Sequence, residues 1–200
     1  MRKQIAGVAL IAAALLAVQP LVEKEPVLSL QQTQVQPSIG EMETVKPARQ
    51  VPATLVETID GDTIKVEVMG RTETVRYLLI DTPESKKAGK CVQSYAKDSY
   101  KRNNELVKSG KIVFEFEAGN TRDIYGRLLA YVYVDGKSVQ ETLLQEGLAR
   151  VGYIMNPPYK YLEEYKNHEN LAKKNKEKIW SMQGFVTEWG FNGCEPDLVH

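Results

Sequence analysis

The sequence predicts an α+β domain: a five-stranded β-barrel of the OB-fold type with three helices. Five β-forming segments occur between residues 53 and 134. A helical segment separates the third from the fourth, which is the order of elements in an OB-fold barrel. Two further helical segments follow the fifth strand. About 130 residues are enough for one hydrophobic core.

The first three strands are predicted at 53–59, 63–69 and 72–80, joined by turns at Asp60-Gly61 and Met69-Gly70. Thr82-Pro83 then requires an extended exit from the third strand. Arg76 and Asp81 are five residues apart, so a regular strand would place them on opposite faces. We therefore predict a bulge or an irregular strand end between them.

The remaining elements follow from periodicity and from residues that begin and end helices. A moderate 3.6-residue period predicts a helix over 92–108, and alternating or β-rich runs predict strands over 112–117 and 128–134. Ser138 and Glu141 form a capping box for a helix that ends at Gly147. A last helix is predicted over 161–179, and Met155-Asn156-Pro157-Pro158 is a candidate for a cis proline.

The chain divides into four predicted segments: 1–22, 23–50, 51–180 and 181–200. Arg2 and Lys3 precede an apolar run over 5–18, which is typical of an export signal. A membrane span needs about 20 apolar residues. We therefore expect a secreted protein, with a retained N-terminal membrane anchor as the alternative. Residues 23–50 have the composition of a disordered linker or pro-segment, and 181–200 form a C-terminal extension.

The charge balance restricts how a polyanion could bind. The chain has 26 basic and 26 acidic side chains, with a formal net charge of zero. A nucleic acid would therefore need a local basic patch, which disfavours non-specific electrostatic coating of DNA.

Acidic side chains gather at the predicted turn and strand ends. Asp62 follows the Asp60-Gly61 turn, and Asp81 and Glu84 flank Thr82-Pro83. Each has an ordinary explanation, because aspartate is common in turns and Asp81 can cap a helix. Asp60 alone is interpreted as a turn residue. Together, Asp62, Asp81 and Glu84 favour a site for a hard cation such as Ca²⁺.

A second motif, Asp123-Ile124-Tyr125-Gly126-Arg127, opens the last long strand. It is either a plain turn with a solvated arginine or a loop that presents Arg127 to the same cavity as Arg76. In the second case the two guanidinium groups would clamp a phosphodiester through bidentate hydrogen bonds.

Three ordered motifs resemble a known family. They are Asp-Gly-Asp-Thr at 60–63, Arg-x-Leu-Leu-x-Asp-Thr-Pro-Glu from residue 76, and Asp-x-Tyr-Gly-Arg at 123–127. The set is similar to that of staphylococcal nuclease-like (thermonuclease) proteins. The likeness extends from about residue 52 to 180.

The resemblance implies a Ca²⁺-dependent endonuclease that hydrolyses DNA and RNA with little sugar specificity. In its terms Asp62, Asp81 and the Thr82 carbonyl hold the metal, and Glu84 positions or deprotonates the attacking water. The remaining implied roles are phosphate binding for Arg76 and Arg127 and nucleotide contacts for Tyr125 and Tyr153. A monomer without a stable protein partner is expected.

Two residues depart from the family pattern. Ile124 stands where the family often has a lysine, and Met155 replaces a second pocket tyrosine. Both changes remove nucleotide contacts and leave the implied catalytic set intact. Three lysines of the nearby loop offer replacement charge: Lys86, Lys87 and Lys90.

The cysteines and histidines leave alternatives open. Cys91 and Cys194 enclose more than a hundred residues, and export permits a disulfide, but two free thiols remain possible from sequence. A disulfide would fold the tail, with Phe185, Trp189 and Phe191, back onto the domain. The two histidines predict neither a catalytic triad nor a zinc site.

A second function class is a non-catalytic OB-fold module that binds nucleic acid. The retention of all five side chains implied in metal and phosphate chemistry favours the enzyme: Asp62, Asp81, Glu84, Arg76 and Arg127.

Overall fold

A computed structural model describes residues 50–85, 91–119 and 121–195. The predicted export signal, the linker up to residue 49, the loop lysines Lys86, Lys87 and Lys90, and His200 lie outside these ranges. None of the helices in the described ranges is long and apolar enough to cross a membrane.

Five strands form a closed barrel, as predicted. They are β1 (Val51–Thr58), β2 (Thr63–Val68), β3 (Arg71–Tyr77), β5 (Ile112–Glu115) and β6 (Leu128–Val134). The strands are ordered β3-β2-β1-β5-β6, and the parallel pairing of β3 with β6 closes the barrel. Alternating apolar side chains fill the interior, including Ile64, Val66, Val75, Phe114 and Val132. The alternation that predicted the strands is therefore the pattern that builds the core.

The predicted irregularity after β3 is confirmed. β3 ends at Tyr77, and Leu79 has a φ of 63°. A separate two-residue strand, β4 (Ile80–Asp81), follows. β4 pairs with β8 (Arg150–Val151), where Asp81 lies opposite Arg150. Because the left-handed residue rotates the backbone, Arg76 and Asp81 can face each other.

Three α-helices pack against the barrel: α1 (Ala96–Lys108), α2 (Val139–Gln145) and α3 (Leu162–Asn175). The α2 capping box is confirmed at Ser138, whose hydroxyl accepts a bond from the Glu141 amide. β7 (Lys137–Ser138) precedes α2.

Two predicted helix ends were wrong. α1 begins at Ala96, four residues late, because Tyr95 has a left-handed φ of 62°. α3 ends at Asn175, and Lys176 is also left-handed. A 3-10 helix, Lys178–Ser181, follows. Between α3 and this 3-10 helix the chain changes direction and passes Gly147, whose carbonyl accepts a hydrogen bond from the Ile179 amide.

The C-terminal segment folds back on the domain. β9 (Val186–Thr187) and β10 (Gly190–Phe191) form a short hairpin, hereafter the C-terminal hairpin. Phe185 is buried and its ring contacts Tyr95 and Phe191. A disulfide joins Cys91 to Cys194 with Cα atoms 5.6 Å apart. The Pro157–Pro158 bond is cis.

Candidate active site

The turn between β1 and β2 is packed tightly against the segment after β4. The Asp62 amide donates to Asp60 Oδ1 over 3.0 Å, which is the turn role expected for Asp60. A Cβ on Gly61 would lie 2.6 Å from Thr82 Oγ1 and 2.7 Å from Ser99 Cβ. Only glycine therefore allows the turn to approach Thr82 this closely.

Asp62 is buried and oriented by hydrogen bonds. Its Oδ2 accepts from the Thr82 amide at 2.9 Å and from Thr82 Oγ1 at 3.1 Å. Its Oδ1 accepts from Thr63 Oγ1 at 3.0 Å. The carboxylate thus links the start of β2 to the end of β4.

Arg76 brings the two predicted metal ligands together. Its Nη2 lies 3.1 Å from Asp62 Oδ2 and 3.5 Å from Asp81 Oδ1. Its Nη1 donates to the carbonyls of Tyr77 and Ile80. Although burial opposes the charge, Asp62 and Asp81 raise the pKa of Arg76. The guanidinium is therefore held inside the barrel rim between two carboxylates.

Arg150 belongs to the same site and was missed in the sequence. Its Nε and Nη2 lie 3.0 and 2.9 Å from Asp81 Oδ2, and the side chain is buried. Its Nη1 donates to the Glu188 carbonyl of the C-terminal hairpin. A basic residue directly after the apolar pair Leu148-Ala149 was the available signal, because a charge inside an apolar run needs a buried partner.

The charges of the site fit an added cation. Three aspartates, Asp60, Asp62 and Asp81, share the two guanidinium groups of Arg76 and Arg150. Burial, followed by the charge of Asp62, raises the pKa of Asp60 to about 7 and also raises the pKa of Asp81.

The least satisfied oxygens also fit a hard cation. Among the described residues, Asp81 Oδ1 has only the long 3.5 Å contact with Arg76, and Asp62 Oδ1 accepts a single hydroxyl bond. These oxygens, with the Thr82 carbonyl and Glu84, are the donors that Ca²⁺ prefers.

Glu84 follows at the end of the same segment. Its amide donates to Gln93 Oε1 at 2.8 Å, and its carbonyl accepts from the Gln93 amide at 3.0 Å. Gln93 Nε2 donates in turn to the Phe191 carbonyl. Among the described residues the Glu84 carboxylate has neither a hydrogen-bond nor an ion-pair partner. It is therefore available to a water molecule or a cation.

The Arg127 loop is organised by Asp123. Asp123 Oδ1 accepts from the amides of Tyr125 and Arg127, and Oδ2 accepts from Arg127 Nε at 2.7 Å. Burial works to raise the pKa of Asp123, but the bonds and charge of Arg127 outweigh it and hold the pKa below its usual value. Within the described ranges no contact joins Arg127 to Asp62, Asp81 or Arg76. In the part of the chain that it describes, the structure does not bring Arg127 into contact with Asp60, Asp62 and Asp81, hereafter the acid cluster.

Each predicted phosphate-binding arginine lies beside an exposed tyrosine. Arg76 Cζ is 5.0 Å from the centre of the Tyr153 ring, and Arg127 Cζ is 5.6 Å from that of Tyr125. The two tyrosines are 62 % and 79 % exposed. Tyr153 also has a φ of 57°, which is unusual for a residue with a side chain. The rings are thus presented to solvent next to the guanidinium groups.

A separate group of possible ligands involves a histidine. Glu141, Glu164 and His168 offer atoms within 4.8 Å of one another, at partly or fully exposed positions. Gln145 also hydrogen-bonds His168. These residues lie on α2 and α3 and do not contribute to the acid cluster described above.

Comparison with known proteins identifies the family. The family model described as "Staphylococcal nuclease homologue" matches residues 74–182. The chain belongs to the staphylococcal nuclease family. Its membership confirms the resemblance and the OB-fold barrel inferred from the sequence.

Two similar relatives come from Bacillus subtilis (strain 168). The SPbeta prophage-derived endonuclease YokF is 62 % identical over 144 residues, which cover 72 % of this chain and 49 % of that protein. Endonuclease YncB is 56 % identical over 161 residues, covering 80 % of this chain and 76 % of that protein. The chain thus spans about half of the first relative and three quarters of the second.

A more distant nuclease-family relative is the thermonuclease of Staphylococcus hyicus. It is 36 % identical over 127 residues, which cover 64 % of this chain and 74 % of that protein. The names of these relatives support a nuclease hydrolase.

Proposed function

We propose that this chain is a secreted, Ca²⁺-dependent endonuclease that hydrolyses phosphodiester bonds of DNA and RNA. The observation that carries the proposal is the meeting of Asp62 and Asp81 at one nitrogen of Arg76. That arrangement sets oxygen donors for a cation beside a guanidinium for a phosphate. Metal use is a property of the thermonuclease family, and Ca²⁺ suits the oxygen donors.

Asp62, Asp81 and the Thr82 carbonyl would hold the ion. When bound, Ca²⁺ supplies positive charge to the phosphate and helps to orient water. Glu84 accepts a proton from that water as its oxygen forms a bond to phosphorus and the bond to the leaving sugar oxygen breaks. The positive charge of Arg76 would stabilise the negative charge of the phosphate oxygens. The leaving oxygen takes its proton from solvent.

Arg127 would bind the phosphate through its outer nitrogens. Its Nε pairs with Asp123, whereas the two Nη groups have no acceptor among the described residues. Pairing through Nε orients the fork and leaves the Nη side free for phosphate oxygens. Tyr125 and Tyr153 would contact the nucleotide beside the two arginines.

Secretion is supported by two features. The predicted export signal precedes the domain, and a disulfide joins Cys91 to Cys194, as is common in exported proteins. Ca²⁺ outside cells reaches the range that weak oxygen sites require. Recovery of the protein only from the cell fraction, and not from the medium, would contradict this part of the proposal.

The test is digestion of single- and double-stranded DNA and of RNA by the full chain, with Ca²⁺ and with a chelator. We expect digestion of each with Ca²⁺ and none after chelation. Glu84→Gln should reduce the rate about 10²–10⁴-fold because the proton acceptor is lost. Glu67→Gln, at an exposed position on β2, is the matched control and should digest normally.

Two outcomes would oppose the proposal. Digestion that persists in chelator would exclude the Ca²⁺ mechanism. Nucleic-acid binding with no digestion under any condition would instead support the non-catalytic binding module.

A further inference from the structure

We propose that the cleft between the C-terminal hairpin and the barrel binds an unpaired base of the nucleic-acid strand, stacked on Trp189. The proposal rests on the proposed function for the identity of the ligand. It adds a subsite made by residues that lie beyond 182, the last residue matched by the family model.

The cleft has the size of a ligand site. Its volume is about 710 Å³, within the usual range for sites that bind small molecules. One wall is formed by residues 150–155, a second by α3 and Trp180, and a third by residues 186–189 of the hairpin. This volume is large enough for a nucleoside.

The hairpin presents an aromatic ring on a rigid support. Trp189 lies at the hairpin turn and is 88 % exposed. The turn is fixed by Thr187 Oγ1, which accepts from the Trp189 amide and donates to the Gly190 carbonyl. Below it, Phe191 packs on buried Phe185. A large exposed ring on such a support is suited to stacking on bases, which all have an aromatic face.

The cleft begins at the candidate active site. Arg150 lines the cleft and pairs with Asp81, while Tyr153 lines it and lies beside Arg76. A Cβ on Gly190 of the hairpin would be 4.0 Å from Asp81 Oδ2. A strand whose phosphate is at Arg76 therefore has the cleft as its immediate neighbour.

The charges of the cleft favour a base over a second phosphate. Its wall contains Arg150 and Lys173 together with Glu169 and Glu188. Lys173 pairs with Glu169 at 2.7 Å, and Arg150 is occupied by Asp81. The remaining surface is largely aromatic and aliphatic, so the cleft offers stacking area without excess positive charge.

The test measures the binding of fluorescent single-stranded DNA oligonucleotides in the presence of Ca²⁺, with Glu84→Gln as the background to prevent cleavage. Trp189→Ala should weaken the binding of an oligonucleotide of about eight nucleotides roughly tenfold, as expected for the loss of one stacked base. Trp189→Phe should retain most of the affinity. Leu171→Ala, an exposed apolar residue on α3 outside the cleft, is the control and should bind normally.

Three further measurements locate the effect. Inorganic phosphate has no base to stack, so Trp189→Ala should not change its affinity. A duplex of the same sequence should respond less than the single strand because its bases are already stacked. The single strand should quench the tryptophan fluorescence of the parent chain more than that of Trp189→Phe, which retains only Trp180.

Equal affinity of Trp189→Ala and its parent for the longer strand would overturn the proposal. That result would leave the nuclease mechanism standing if the wild-type chain still digests DNA with Ca²⁺. Conversely, Trp189-dependent binding in a chain that never cleaves would retain the cleft and exclude the catalytic proposal.

Discussion

Single residues decide the charge balance at the barrel rim. Asp81 receives Arg76 on one oxygen and Arg150 on the other, and all three side chains are buried. Removing one partner from such a group leaves charge in a poorly solvated place, which costs more than losing a surface ion pair.

We predict that Arg150→Met lowers the free energy of unfolding by about 3–5 kcal/mol, because Asp81 then keeps only its long contact with Arg76. Urea denaturation measures the change. Arg102→Met is the matched control: Arg102 pairs with half-exposed Glu146, and its loss should cost at most about 1 kcal/mol. Equal losses of unfolding free energy in the two variants would show that the buried Asp81–Arg150 pair stabilises the fold no more than a surface pair.

Added Ca²⁺ should raise the midpoint of unfolding more in Arg150→Met than in the wild type. A cation near Asp81 replaces part of the missing positive charge, and a ligand that binds the folded state stabilises it by mass action. Thermal unfolding with and without Ca²⁺ gives the comparison.

At the scale of elements, the break after α3 depends on the helix end at Gly147. Gly147 has a φ of 67°, and a Cβ there would lie 2.6 Å from Glu177 Cβ and 2.7 Å from the Glu177 carbonyl oxygen. The chain beyond α3 therefore passes directly over the end of α2, where only glycine leaves room.

We predict that Gly147→Ala destabilises the domain by the cost of a left-handed alanine, about 1–2 kcal/mol, plus about 1–3 kcal/mol for steric overlap. Gly70→Ala isolates the first cost, because Gly70 has a φ of 74° and open space around its Cα. Chemical denaturation of both variants should separate the two contributions. If both lose the same stability, the contact with Glu177 is not restrictive.

At the scale of the whole molecule, the disulfide joins the tail to the segment before α1. It closes a loop between residues 103 positions apart. Chain entropy alone predicts a contribution of up to about 4–5 kcal/mol for such a loop. The core residues lie mostly on the barrel strands and α2, so we expect the barrel to keep its core without the disulfide.

Replacing Cys91 and Cys194 together by serine should lower the unfolding free energy by up to that amount and leave the far-ultraviolet circular dichroism nearly unchanged. Because the C-terminal hairpin is then tied down less firmly, oligonucleotide affinity should fall toward that of Trp189→Ala. Free-thiol titration of the wild type under non-reducing conditions provides the control. Two reactive thiols there would contradict the bond.

The barrel could be predicted from the sequence because its information is local. The alternation in β2, the β-rich run of β6 and the Asp60-Gly61 turn specify strands within a few residues. The partnership of Asp81 with Arg150 depends instead on pairing between two-residue strands that are 69 positions apart, which leaves no periodic signal. The predicted start of α1 and end of α3 were wrong because Tyr95 and Lys176 adopt left-handed conformations, which periodicity does not reveal.

The side chain of Gln93 connects the C-terminal hairpin to the segment that contains Glu84. One amide group holds the backbone of Glu84 on one side and the carbonyl of Phe191 on the other. A chain shortened at residue 182, where the family match stops, would expose Tyr95 and leave Cys91 without its disulfide partner. It would also remove the carbonyl that positions the Gln93 amide group, and with it a support of the Glu84 backbone.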